Sequence, residues 1–147
     1  MKLITMLLTT LTLLLSSGVA SARDDIESYD VESALNNNSA RDRLGNEVTF
    51  YFGNSKHGRV IKRLNETKTN KKTNAFNKSD EEACQWVFLS AMLALKAKAK
   101  SVGANAVINI KSNYKGNMTS SNTTFKCGAG FLMAGVALKG TMVKLKR

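Results

Sequence analysis

One segment limits what this chain can build more than any other: the run from Ser79 to Gly103. Ser79-Asp80-Glu81-Glu82 reads as a capping box, with the Ser79 hydroxyl placed to accept from the Glu82 amide. Three acids suit the positive end of a helix dipole, and Lys96, Lys98 and Lys100 suit the negative end. Gly103 is the expected stop. Cys84, Phe88, Ala91, Leu95 and Val102 form one stripe, while Trp86, Leu89 and Leu93 lie nearly opposite. A helix apolar most of the way round needs cover on more than one side. A sheet supplies one cover. A loop, the N-terminal segment or a second copy of the chain supplies the other, so a homo-oligomer stays open.

The rest of the sequence offers strands for that sheet. Val48 to Phe52 is β-branched and aromatic, and Arg59 to Leu64 reads as its return strand. Gly53 to Gly58 lies between them as the turn of a hairpin. Residues 65–78 read as a basic loop with Phe76 as its one large apolar anchor. Asn105 to Tyr114 alternates, with Ala106, Ile108, Ile110 and Tyr114 on one side. Asn105 is placed to bond the freed helix carbonyls. Thr123 to Ala129 and Phe131 to Leu145 complete the set, with bends expected at Gly135 and Gly140. The order is strand, strand, helix, strand, strand, strand. Short connections favour an α+β domain, a small antiparallel sheet of about five strands packed on one long helix.

Three regions divide the chain. Residues 1–22 read as a secretion signal: Lys2, an uncharged stretch from Leu3 to Leu15, then Ala20-Ser21-Ala22 before a cut between Ala22 and Arg23. Thirteen residues rise about 20 Å as a helix, short of a hydrocarbon core about 30 Å thick, so the stretch is not a membrane anchor. No cysteine near the cut invites a lipid. Residues 23–46 read as a polar, acidic, mobile lead-in with a short helix around Val31, Ala34 and Leu35. Residues 47–147 form the domain. The expected compartment is the periplasm or the exterior.

An exported chain with two cysteines, Cys84 and Cys127, is expected to pair them. They lie too far apart in sequence for the Cys-x-x-Cys spacing of a redox pair.

Charge is unevenly placed. Residues 23–47 carry −4, residues 48–78 carry +7, and ten bases follow Glu82 with no acid among them. Outside the cytoplasm a positive surface meets lipid phosphate, acidic polysaccharide or extracellular nucleic acid. Lys68, Lys71, Lys72 and Lys78 are the candidate anion-binding residues. Nucleic acid is the weakest of these partners, because charge alone gives nonspecific, salt-sensitive binding. An envelope protein is the further alternative.

Catalytic patterns fail on residue supply. The one histidine, His57, falls in a turn, and a zinc site needs at least three protein ligands. No serine sits in Gly-x-Ser-x-Gly. Seven of the eleven carboxylates lie in residues 23–47 and three in the helix cap, leaving no pair for glycoside hydrolysis. No Gly-x-x-x-x-Gly-Lys-Ser/Thr loop exists to cradle a nucleotide phosphate. Catalytic, cofactor and metal residues are therefore expected to be none.

Several runs resemble a known family. They are Lys72-Thr73-Asn74, Lys78 to Cys84 with Trp86, Leu89-Ser90-Ala91, Gly103 to Val107, Ser112-x-Tyr114, Cys127-x-Ala129-Gly130 and Met133 to Gly140. Together they resemble small secreted proteins of Gram-negative bacteria, many of them labelled "excinuclease ATPase subunit". The helix followed by Gly-Ala-Asn-Ala-Val more distantly resembles the Rcs envelope-stress lipoprotein and small heavy-metal-binding-like domains. The resemblance implies a compartment and a fold. It brings no site: this chain lacks the lipoprotein's lipidated cysteine and the ligands that the metal name requires. The expected function is a non-enzymatic binding or interaction module of the envelope. The alternatives are a DNA-repair ATPase component, as the family label says, and a small secreted hydrolase.

Overall fold

Ser79 caps the long helix as its spacing predicts, its hydroxyl accepting from the Glu82 amide at 3.1 Å. In the computed structural model, which describes residues 22–36 and 38–147, this helix is the third of three. The expected secretion signal, apart from Ala22, lies outside the described residues. The elements are β1 (Asp25–Asp30), α1 (Val31–Leu35), α2 (Asn38–Leu44), β2 (Thr49–Phe52), β3 (Val60–Asn74), α3 (Asp80–Ser101), β4 (Ala106–Tyr114), β5 (Asn117–Thr119), β6 (Thr124–Ala129) and β7 (Met133–Leu145).

The fold is α+β, with α3 packed on one face of an open, mixed sheet of seven strands. Gly103 ends α3 at a φ of 75°, a left-handed turn that glycine adopts without strain. The Gly103 amide bonds Lys100 and the Ala104 amide bonds Ala99, the two bonds of a Schellman stop. Those carbonyls are thereby satisfied. Asn105 consequently does not serve the helix: its side chain brackets the Leu145 backbone, donating to the carbonyl at 3.0 Å and accepting from the amide at 2.7 Å.

β7 is the spine of the sheet. It pairs β3 along one side, and β4 and then β6 along the other. β1 adds to β6, and β5 to β4, all antiparallel. β2 lies parallel to β4, with Thr49 opposite Ala106 and Phe52 opposite Ile110. The expected hairpin between residues 48–52 and 59–64 is therefore absent. β4 and β7 stand between its two strands. Alternation records which face a residue uses, and says nothing about which strand lies beside it.

Two polar segments, read from sequence as a basic loop and as a mobile lead-in with one short helix, contain strands, and α1 is that expected helix. β3 runs on through the expected basic loop to Asn74, fifteen residues in all, with Thr67 and Thr69 as its buried positions. Threonine suits a pleated, half-buried surface, and an edge strand keeps its other side chains in water. The expected mobile lead-in holds β1, α1 and α2. β1 is almost wholly exposed because it too is an edge, held by six register pairs to β6 and by Tyr29 stacked on Phe125 at 5.9 Å. α1 and α2 lie against α3, and Val31, Ala34, Ala40 and Leu44 join the core beside Leu89. The N-terminal segment thus covers Leu89 on the second stripe of the helix, while Trp86 stays half exposed.

The main core lies between α3 and the sheet, with Phe88, Phe125, Met92, Leu95 and Ile110 fully buried. A smaller cluster of Ala106, Ile108, Val143 and Leu145, with Tyr51 and Val60, sits apart from it. The expected row Ala106, Ile108, Ile110 is split between the two. At Asn109 the backbone turns left-handed (φ 54°) and the register with β7 slips between Ile108 and Lys111. That bulge lets Ile108 serve the small cluster and Ile110 the main core. The bends expected in β7 fall instead on its partners, in β4 and between Arg63 and Glu66 of β3. Gly140 is needed for closeness, since a Cβ there would meet Val107 Cγ1 at 2.7 Å.

A candidate basic face with an apolar tip

Residues Ala134, Val136 and Leu138 of β7 point into the main core. Alternation then turns Gly135, Ala137 and Lys139 to the face away from α3. Register carries neighbours with them. Lys139 lies opposite Lys68 of β3 on one side and Lys111 of β4 on the other. Three lysines thus stand in a row across three adjacent strands, where like charges directly opposite are destabilising. Glu66 reaches Lys139 at 3.1 Å, but Lys68 and Lys111 have no carboxylate partner among the described residues. Lys72 follows Lys68 on the same face of β3 and is likewise without an ion pair.

Beyond that row β4 leaves β7, and Tyr114 lays its ring over Gly128 and Gly135; a Cβ on Gly128 would overlap the ring. The Tyr114 hydroxyl donates to Asp24 at 3.1 Å, and Lys115 pairs with the same carboxylate. A cleft of about 420 Å³ opens here, lined by Ala22 to Asp24, Lys72, Tyr114, Lys115, the two glycines and the segment from Gly130 to Ala134. Its outer wall is apolar. Phe131 is 71% exposed and Leu132 59%, at the turn between β6 and β7, with Met133 and Phe76 beside them. Phe76 does not dock on the core as expected. Ala75 takes the buried place, and Phe76 meets Phe131 edge-on at 6.1 Å.

The acidic segment before residue 48 is folded against bases rather than left as a tail. Arg23 forks onto Asp80 at 2.8 and 2.9 Å and reaches Asp25 at 2.7 Å. Glu47 bridges Lys100 at 2.9 Å and Lys96 at 3.3 Å. The bonded cation is the largest influence on each carboxyl. Lys115 holds Asp24 below the ordinary carboxylate range, Arg23 does so for Asp80, and Lys100 with Lys96 for Glu47. Burial, helped by the Asp24 charge, pushes the Tyr114 hydroxyl up. Depressed carboxyls favour the fold fully above their unfolded values, about 4, and lose that favour as pH falls through the lower folded values. The unfolding midpoint is therefore expected to stay flat from pH 7 to about 5 and to fall below about 4. Thermal melts across that range check it, and a midpoint that rises on acidification contradicts it.

The four lysines singled out in the sequence are only partly gathered. Lys68 and Lys72 share the open face, Lys71 alternates to the other, and Lys78 sits in the turn before α3, its ammonium on the Asn74 carbonyl at 3.2 Å. Lys111 and Lys139 were missed, because only register places them beside Lys68. At the expected cleavage junction, Ala22 and Arg23 are both exposed. Cys84 and Cys127 form the expected disulfide, wholly buried between α3 and β6. His57 is exposed and turned onto the Gly58 carbonyl, its ring against Tyr51. Among the described residues no group of three or more His, Cys, Asp or Glu could hold a metal ion, and no helix is long and apolar enough to cross a membrane. The turns at 53–58 and 112–118 open into different clefts, one beside Tyr51 and Arg147, the other beside Lys68 and Ala137.

Comparison with family models, curated proteins and solved structures gives no match to this chain.

Proposed function

We propose that this chain is a non-enzymatic binding module of the cell envelope that holds a polyanion on the open face of its sheet. The lysine row of Lys68, Lys139 and Lys111 carries the reading. Glu66 offsets only the central Lys139, so Lys68 and Lys111 on either side of it cost stability unless a further anion lies over the row. The secretion signal and the buried disulfide support a place outside the cytoplasm, in the periplasm or beyond. There the ligand offers phosphate or carboxylate groups, as lipid headgroups or acidic polysaccharide do. The ATPase and hydrolase alternatives gain no supporting observation from the site.

The chain from Arg23 onward should bind phosphatidylglycerol vesicles or an immobilised acidic polysaccharide at low ionic strength and release in about 0.5 M salt, where screening is short-ranged. Each lysine near an anionic surface contributes about 1 kcal/mol, so the triple variant Lys68→Gln, Lys111→Gln, Lys139→Gln should bind about 100-fold more weakly. It should also melt no lower than the parent, because the row's own repulsion is gone. Failure to bind either anion at low salt refutes the proposal.

A further inference from the structure

The apolar tip beside the basic face is the least explained surface of the molecule. Phe131, Leu132, Met133 and Phe76 are all about half exposed or more, on two turns that touch. Singly exposed apolar residues need no explanation, but a contiguous group does. This group is also held in place. The Ala75 amide bonds the Leu132 carbonyl at 2.8 Å, and the Gly130 amide bonds the Met133 carbonyl at 2.8 Å. The Asn74 side chain accepts from the Phe76 amide at 2.7 Å. A backbone fixed this firmly presents its side chains outward without further backbone ordering on contact.

We infer that the tip is a wedge that enters the acyl layer of an anionic bilayer while the basic face lies on the headgroups. The inference rests on the polyanion reading and names its ligand as a membrane surface. Charge complementarity selects that occupant. Lys72 lines the cleft together with Phe131 and Leu132, Lys78 follows Phe76 by two residues, and neither forms an ion pair among the described residues. Arg23 and Lys115 stand nearby but are already matched by Asp25, Asp80 and Asp24. A second copy of a chain with net charge +11 would bring the same cations face to face. Aromatic and long aliphatic side chains on a polar scaffold ringed by lysine are the chemistry of interfacial membrane binding. The cleft behind the tip, with Lys72 at its rim, has the volume to receive a headgroup.

Two variants test it. In Trp86→Phe with Phe131→Trp the only tryptophan sits at the tip. Its emission should shift to the blue on phosphatidylglycerol vesicles and be quenched by lipids brominated along the acyl chain. Phe131→Ser with Leu132→Ser should weaken vesicle binding at least 10-fold per residue. The same variant should keep its affinity for a soluble acidic polysaccharide, and its far-ultraviolet circular dichroism should match the parent. Vesicle binding that survives both serines, or a tip tryptophan that stays unquenched on bound vesicles, overturns the wedge and leaves the basic face standing. Binding of polysaccharide but not of vesicles overturns it in favour of the soluble ligand. A dimer in light scattering that the serines abolish assigns the tip to a second copy instead. Failure to bind either anion removes both readings.

Discussion

Replacing Cys84 and Cys127 together by alanine should lower the thermal midpoint by on the order of 15 °C. The bridge spans 43 residues, and closing such a loop restricts the unfolded chain by about 4 kcal/mol in the chain-entropy model. Its position directs where the loss is felt. β6 shares only two register pairs with β7, Gly128 opposite Gly135 and Ala129 opposite Ala134. It shares six with β1, which is itself an edge. The β1–β6 ribbon therefore hangs on the sheet by a short seam. The disulfide pins it to the second turn of α3, and the Arg23–Asp80 fork adds a tie at the helix start. On reduction, amide exchange should quicken first in residues 25–30 and 124–129, while the long β3–β7 pairing stays protected. Calorimetry with hydrogen exchange reads both effects. A shift under about 3 °C, or protection lost uniformly, would show that packing alone holds the ribbon.

The same ribbon shows why the sequence was legible in some places and not in others. α3 was legible because its signals are local: a serine cap, acids then lysines, a glycine at the end. The disulfide was legible from the count of two cysteines and the expectation of export. β1 was not, because an edge strand with both faces near water has no apolar alternation to read; its burial is almost uniformly low. The far half of β3 was hidden for the same reason. Its two buried residues are threonines, which count as polar in any hydropathy pattern. The parallel pairing of β2 with β4 was beyond local reading, since a turn-like stretch at 53–58 serves a hairpin and a wider crossing equally well. The candidate site suffered most. Lys68, Lys111 and Lys139 are far apart in sequence and meet only through two registers, one of them reset by the left-handed Asn109. No spacing rule finds such a row. Charge segregation singled out two of the open-face lysines, Lys68 and Lys72, and register supplied Lys111 and Lys139.

Phe88→Ala should destabilise the fold by about 4 kcal/mol, a large part of the 5–15 kcal/mol typical of a domain. Phe88 is fully buried on α3 and stacks on Phe125 of β6 with ring centres 4.0 Å apart. It also meets Phe52 of β2 at 6.0 Å, and Phe125 in turn meets Tyr29 of β1 at 5.9 Å. The four rings form a line from one edge of the sheet, past the helix, to the other edge. Burial and the cavity left behind account for most of the loss, and the stacked geometry adds about 1 kcal/mol. That last share can be isolated. A double-mutant cycle of Phe88→Ala and Phe125→Leu, followed by urea denaturation, should give a coupling of about 1 kcal/mol. Coupling near zero would mean that the rings contribute only as bulk. Phe88 lies on the opposite side of the sheet from the lysine row, so the fraction of variant that remains folded should bind anionic vesicles as the parent does. A loss of binding per folded molecule would show instead that the core sets the register of the row, through β6 and its short seam with β7.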